Sequence, residues 1–232
     1  MNFKSQAGED IFLFNTFFKN KKKGKYIELG AMNGINYSNT YFFEKELEWT
    51  GILIEPNAFN FNLLKNNRPN NYLFNDVISD RTEEVSFRYF NNHAAMSGVS
   101  GIEDTLPVTH LSQFFDTEKY CNEIVHNNTN SNCICWYKKQ QLQGRSTLIP
   151  KSLTHIINNT NIDEFDFLSL DVEGHEYEVL KSWDFSVPIN VILIEMLGVN
   201  PDKEDKCRSI LIDHNYQFFS HCAHNEVYTL NK

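Results

Sequence analysis

Four carboxylates in this 232-residue chain stand where an apolar run stops. Glu28 lies in YIELGAMNG at 26–34, Glu55 closes TGILIEPN at 50–57, Asp171 follows FDFLSL at 165–170, and Glu195 ends NVILIEM at 190–196. An apolar run that meets an acid and then a turn is what a buried strand looks like where its carboxyl end opens onto a ligand. Acids in that position can accept the hydroxyls of a ribose, take a proton from a reacting group, or hold a hard divalent cation. Asp171 is followed by Glu173, Gly174, His175 and Glu176, so one turn carries several groups able to do such work.

The glycines of the first motif separate two cofactor classes. Gly30 and Gly34 have three residues between them, and no GxGxxG is present. A dinucleotide site uses closely spaced glycines to bring a helix N-terminus against a pyrophosphate. S-adenosylmethionine has no phosphate and needs room at the strand end with polar anchors for an amino acid and a ribose. The spacing fits the second demand, and Glu55, about 20 residues beyond the glycines, is placed to hold the ribose diol. An NAD-dependent oxidoreductase would share Glu55 but lacks its glycine signature here. A non-catalytic cofactor-binding or interaction module of the same fold is the non-enzyme alternative.

The elements that must position these residues alternate between strand and helix. Beyond the runs above, the sequence predicts helices over 37–47, 57–66, 152–158, 173–183 and 203–214, a strand with its following loop over 71–79, and an extra strand over 85–90. A terminal antiparallel pair is expected at 216–220 and 227–230. Alternating elements imply a parallel sheet covered on both faces, with ligands at the carboxyl ends of its strands. From about 93 to 145 the pattern dissolves, and this stretch reads as a lid or insertion within a single domain.

Composition narrows the partners. The net charge of −9 and the pI of about 5.4 speak against nucleic acid, which needs a basic face. No run is long enough to span a membrane, and MNFKSQAGED lacks the apolar centre of a signal peptide, so a cytoplasmic protein is expected. Five cysteines without a CxxC pair point to reduced thiols rather than a zinc site. Oligomeric state is left open. The histidines at 93, 110, 126, 221 and 224 read as ordinary turn or surface residues, and Glu176 and Glu178 as a solvated helix face.

Taken in order, SQAGED, YIELGAMNG, YSNT at 37–40, TGILIEPN, NNR at 66–68, NDVIS, STLIPKSLTHII and FDFLSLDVEGHEYEVL make the chain resemble the FkbM-type methyltransferases, a branch of the class I S-adenosylmethionine-dependent enzymes. The resemblance implies a Rossmann-like, doubly wound, mostly parallel seven-stranded sheet with a C-terminal antiparallel hairpin. It places Glu28, Gly30 and Gly34 against the methionine and ribose, and Ser38, Asn39 and Thr40 at the start of the next helix. Glu55, with Pro56 beside it, falls at the ribose, and Asp76 and Val77 flank the adenine. Gln6 and Asp10 close over the cofactor. The D-x-E of Asp171 and Glu173 is similar to the D-x-D of metal-dependent sugar O-methyltransferases. By that similarity Asp171, with Glu195, is a ligand for magnesium or manganese, Glu173 is the base, and His175 can share either role. The expected acceptor is a hydroxyl of a sugar, a glycan or another small metabolite.

Overall fold

The computed structural model describes residues 1–91, 98–111 and 143–231. Its strands in chain order are β1 Lys25–Leu29, β2 Thr50–Ile54, β3 Tyr72–Phe74, β4 Val85–Phe90, β5 Gly101–Ile102, β6 Gln143–Leu148, β7 Phe165–Leu170, β8 Ile189–Glu195, β9 Tyr216–Cys222 and β10 Asn225–Leu230. Seven of them form one sheet in the order β3-β2-β1-β7-β8-β10-β9. The first five in that order run parallel, and β10 pairs antiparallel with both β8 and β9. This is the doubly wound class I methyltransferase architecture with its reversed terminal hairpin.

The register explains why the acids meet. Leu29 pairs with Ile54 on one side and Leu170 on the other, and Leu170 pairs with Ile194. The next residue along each strand is Gly30, Glu55, Asp171 or Glu195, so the four motifs end abreast. From β1 the chain winds outward to β2 and β3, and later from β7 to β8, which makes the β1/β7 seam the point where strand order reverses. Ligands in open α/β sheets bind at such a seam.

Both faces of the sheet are buried by alternate residues of the same strands. Ile27, Leu29, Ile52, Ile54, Leu168, Leu170, Ile192 and Ile194 pack with residues of the helices Leu153–Asn158, Glu176–Lys181 and Pro201–Asp213. Tyr26, Leu53, Phe167, Val191 and Leu193 face the other way onto Phe14, Phe18, Phe42, Phe43, Trp49 and Leu64. The high aromatic content is concentrated there: the Phe18, Phe43 and Trp49 rings surround Phe167 with centroids 5.6, 5.2 and 5.9 Å away.

Two helices start later than their sequence patterns suggest. The helix after β1 is Tyr41–Leu47, because residues 38–40 are committed to Glu28 and Tyr37 has a positive φ of 60°. The helix after β7 is Glu176–Lys181, because Glu173 and Gly174 take φ values of 57° and 92°, which a right-handed helix does not admit. The extra strand at 85–90 is present as β4, but it is the centre of a separate antiparallel sheet, β5-β4-β6. Its partners come from within and just beyond the expected insertion. Residues 93–97 and 112–142 of that insertion, with His93, His126, Tyr120, Trp136, Tyr137, Cys121, Cys133 and Cys135, lie outside the described residues. Cys207 and Cys222 are free thiols.

Candidate active site

A cavity of about 590 Å³ opens at the carboxyl ends of β1, β2, β7 and β8. The loop after β1 contributes Gly30, Met32, Tyr37 and Asn39, and the end of β2 contributes Glu55 and Pro56. Val77 and Ile78 form one flank with Phe87 and Ile102 of the small sheet, while Gln6, Ala7 and Glu9 enter from the N-terminal segment. Asp171, Val172, Glu173 and His175 follow β7, Glu195 and Leu197 stand at β8, and His224 and Asn225 come from the terminal hairpin.

Glu55 is buried and already holds part of the wall. Its Oε2 accepts from the Met32 amide at 2.8 Å and its Oε1 from the Asn57 amide at 2.7 Å. Burial pushes its carboxyl up to about 7 against the lowering effect of the Asn57 and Met32 amides. Each carboxylate oxygen has a further lone pair, so the group can hold the loop and still accept a ligand hydroxyl. Met32, which it fixes, has a φ of 48°.

Several residues expected at the cofactor lie behind the cavity wall. Glu28 does not line the cavity: its carboxylate is buried and accepts from Ser38 Oγ at 2.9 Å, the Asn39 amide at 2.7 Å and Thr40 Oγ1 at 2.6 Å. Ser38 and Thr40 are absent from the wall for the same reason. Asn39 does reach it, with Nδ2 donating to Ser169 Oγ at 2.9 Å and with Oδ1 buried and lacking a hydrogen bond among the described residues. Gly34 packs backward, where a Cβ would stand 2.5 Å from Leu64 Cδ1 and 2.6 Å from Arg68 Cγ. Asp10 is consumed by its own turn, accepting from the Lys4 amide at 2.7 Å, Ser5 Oγ at 2.6 Å and the Ile11 amide at 2.8 Å. Its neighbours Gln6 and Glu9 line the cavity instead. Asp76 stands 3.5 Å from Lys151 Nζ away from the wall, and Val77 alone of that pair faces inward.

The acids at the β7 and β8 ends converge. One carboxylate oxygen from each of Asp171, Glu173 and Glu195 lies within 4.8 Å of the others. Asp171 is held well above the usual carboxylate range by burial and by the charges of Glu173 and Glu176; Glu195 is held up by burial and by Asp171 and Glu173. Glu195 Oε2 is buried without a hydrogen bond among the described residues. Three oxygen donors that repel one another when ionised, one of them with an orphaned buried atom, fit a hard divalent cation. Glu173 Oε2 also stands 3.0 Å from Nδ1 of His110. Glu173 holds its place through a left-handed backbone, and Gly174 beside it has no room for a Cβ, which would lie 2.6 Å from the Thr105 carbonyl.

His175 lines the cavity with its ring committed to neighbouring hydroxyls. Its Nδ1 is 3.0 Å from Thr105 Oγ1 and its Nε2 3.0 Å from Ser79 Oγ, so both ring nitrogens are engaged. Burial, then the charges of Lys203 and Arg81, drives its pKa down to about 3, which leaves the ring neutral. It ties the 105 segment and the 79 loop to the β7 turn. Glu176 is not solvated either: it is buried, accepts from the Val172 and Gly174 amides at 3.1 and 3.2 Å, and is raised to about 7 by burial. Glu178 pairs with Lys203 Nζ at 2.7 Å, and the same ammonium donates to the Gly174 carbonyl at 2.5 Å.

His110 and His224, read from sequence as ordinary histidines, both line the cavity. His224 arrives because its carbonyl accepts from the Met196 amide at 2.9 Å, just past Glu195. A terminal turn beside a strand-end acid was the available signal. His110 had none, because no periodic pattern surrounds it.

The family described as Methyltransferase FkbM domain matches residues 28–222. A solved structure of a TehB-like SAM-dependent methyltransferase from Corynebacterium glutamicum ATCC 13032 Kitasato is 8% identical, with 97% of this chain and 88% of that one covered at a TM-score of 0.44. No curated protein matches. The chain belongs to the FkbM methyltransferase family.

Proposed function

We propose that this FkbM-family methyltransferase is an S-adenosylmethionine-dependent O-methyltransferase whose acceptor is a hydroxyl of a sugar, a glycan or another small metabolite. The observation that carries the reading is the meeting of Asp171, Glu173 and Glu195 in the same cavity as Gly30, Asn39 and Glu55. One side of the cavity suits a nucleoside with an amino-acid arm, and the other suits hydroxyl activation.

Bound S-adenosylmethionine supplies an electrophilic methyl group on a sulfonium, with a neutral thioether as leaving group. Glu55 would accept the ribose hydroxyls, and Val77, Ile78 and Pro56 would give the base an apolar slot. Asn39 Oδ1 is an acceptor for the methionine ammonium. Glu173 would take the proton of the acceptor hydroxyl as it is methylated, with His110 stationed beside that carboxylate. An aliphatic hydroxyl is a weak acid, so a magnesium or manganese ion held by Asp171 and Glu195 would lower its pKa. The net charge of −9 disfavours nucleic acid as acceptor, and no helix among the described residues is long and apolar enough to cross a membrane.

The test is S-adenosylhomocysteine release across a panel of mono- and oligosaccharides, with magnesium, with manganese and with chelator. Turnover that rises with metal and requires a free hydroxyl supports the reading. Turnover confined to amine or thiol acceptors would replace it.

A further inference from the structure

Beneath the loop that lines the cofactor side of the cavity lies one buried guanidinium. Arg68 follows the helix Ala58–Asn67 as its cap, and its side chain is 0% exposed. Nη1 donates to the Gly34 carbonyl at 2.8 Å and to Ser38 Oγ at 3.3 Å. Nη2 donates to Thr40 Oγ1 at 3.0 Å and to the Tyr26 hydroxyl at 2.7 Å, and Nε pairs with Glu44. Three of these bonds reach the underside of segment 30–40, whose upper side presents Gly30, Met32, Tyr37 and Asn39 to the cavity. Glu28 grips Ser38, Asn39 and Thr40 from the strand, so the acid and the guanidinium share the two hydroxyls.

That segment is held at its start by Glu55 on the Met32 amide, in its middle by Asn67 on the Asn33 carbonyl and by a bridge from Tyr37 to Ser5, and from below by Arg68 and Glu28. It is neither helix nor strand, and it contains the left-handed residues Met32, Gly34 and Tyr37. Its polar groups need partners, and a forked, planar donor can serve several at once where an ammonium serves one direction. Burying a charge for stability alone is poor economy, since well-packed apolar groups often do as well. A shape requirement accounts for the arrangement better.

We infer that Arg68 is a positioning residue for the cofactor. Through the Gly34 carbonyl and the Ser38 and Thr40 hydroxyls it fixes Tyr37 and Asn39 at the cavity wall. Cofactor affinity therefore depends on a residue that never reaches the cavity. The inference rests on the reading of this wall as the S-adenosylmethionine side.

The test compares Arg68→Lys and Arg68→Met with Tyr26→Phe, which removes a partner of Arg68 on the side away from the loop. Calorimetric titration of S-adenosylmethionine and hydrogen exchange of amides 31–40 are read on each full-length protein below its Tm. Arg68→Lys is expected to weaken cofactor binding by about tenfold or more and to speed exchange selectively in 31–40. Tyr26→Phe is expected to lower the Tm and leave affinity and loop exchange as they were. Arg68→Met should match or exceed the lysine variant where it folds, and the lysine variant decides where it does not. Wild-type affinity and exchange in Arg68→Lys, or equal losses in Tyr26→Phe, would overturn the inference. If the wild-type protein binds no S-adenosylmethionine, the functional reading fails, and exchange still decides the loop role: selective loosening supports it, and uniform loosening overturns it.

Discussion

Gly30 and Asp171 meet backbone to backbone: a Cβ built at Gly30 would overlap the Asp171 carbonyl oxygen. The cofactor loop and the acidic turn are thereby set edge to edge at the seam where strand order reverses. Gly30 also has a φ of 77°, so Gly30→Ala meets a left-handed backbone and a rigid obstacle together. The left-handed conformation alone costs about 1–2 kcal/mol for an L-residue. The variant is expected to lose at least that much in denaturant unfolding and to bind cofactor weakly. Stability equal to wild type would show that the two strand ends can part freely.

Glu55 gives the ligand-free protein a pH signature. Its folded pKa of about 7 lies above the ordinary value of 4.5, so the folded state binds this proton more tightly than the unfolded chain. The resulting stabilisation is full below 4.5 and is lost as pH rises through 7. Glu55→Gln cannot titrate. The stability of wild type relative to this variant should fall between pH 4.5 and 7, by on the order of 3 kcal/mol. Parallel stability curves would mean that the carboxyl is ordinary.

Glu173 and Asp171 carry separable roles. Glu173→Gln should leave cofactor binding near wild type and abolish turnover. Asp171→Asn should blunt the response to magnesium or manganese. Unchanged turnover in the first removes Glu173 as base, and an unchanged metal response in the second removes Asp171 as ligand.

His175 is assigned to structure. His175→Gln cannot bridge Thr105 and Ser79 with the same geometry, and losing one of these hydrogen bonds costs about 0.5–1.5 kcal/mol. Lower Tm with turnover retained in the cold is the expected result. A well-folded variant with no turnover would return His175 to the chemistry.

The sheet was legible because each apolar run stops at an acid, and strand ends set by the same register bring Gly30, Glu55, Asp171 and Glu195 abreast. The place of Glu28 behind the cavity wall has a signal in the sequence. Side chains alternate along a strand, so Glu28 shares the face of Tyr26, the aromatic side, and points under its own loop. The late start of the helix after β7 was hidden because Glu173 takes a left-handed backbone that glycine spacing does not foretell. Glu176 looked solvated in a run of charges, yet the turn it caps closes over it. His110 reaches Glu173 from a segment without periodicity, and only the tertiary fold brings the two together.

Calorimetric titration of S-adenosylmethionine and, separately, of NAD into the metal-free protein tests the central claim most directly. The account predicts that S-adenosylmethionine binds and NAD does not, and that Glu55→Ala weakens the binding by about 1.5–3 kcal/mol, the worth of a charge-assisted hydrogen bond. Binding of NAD, or of neither ligand, would contradict it.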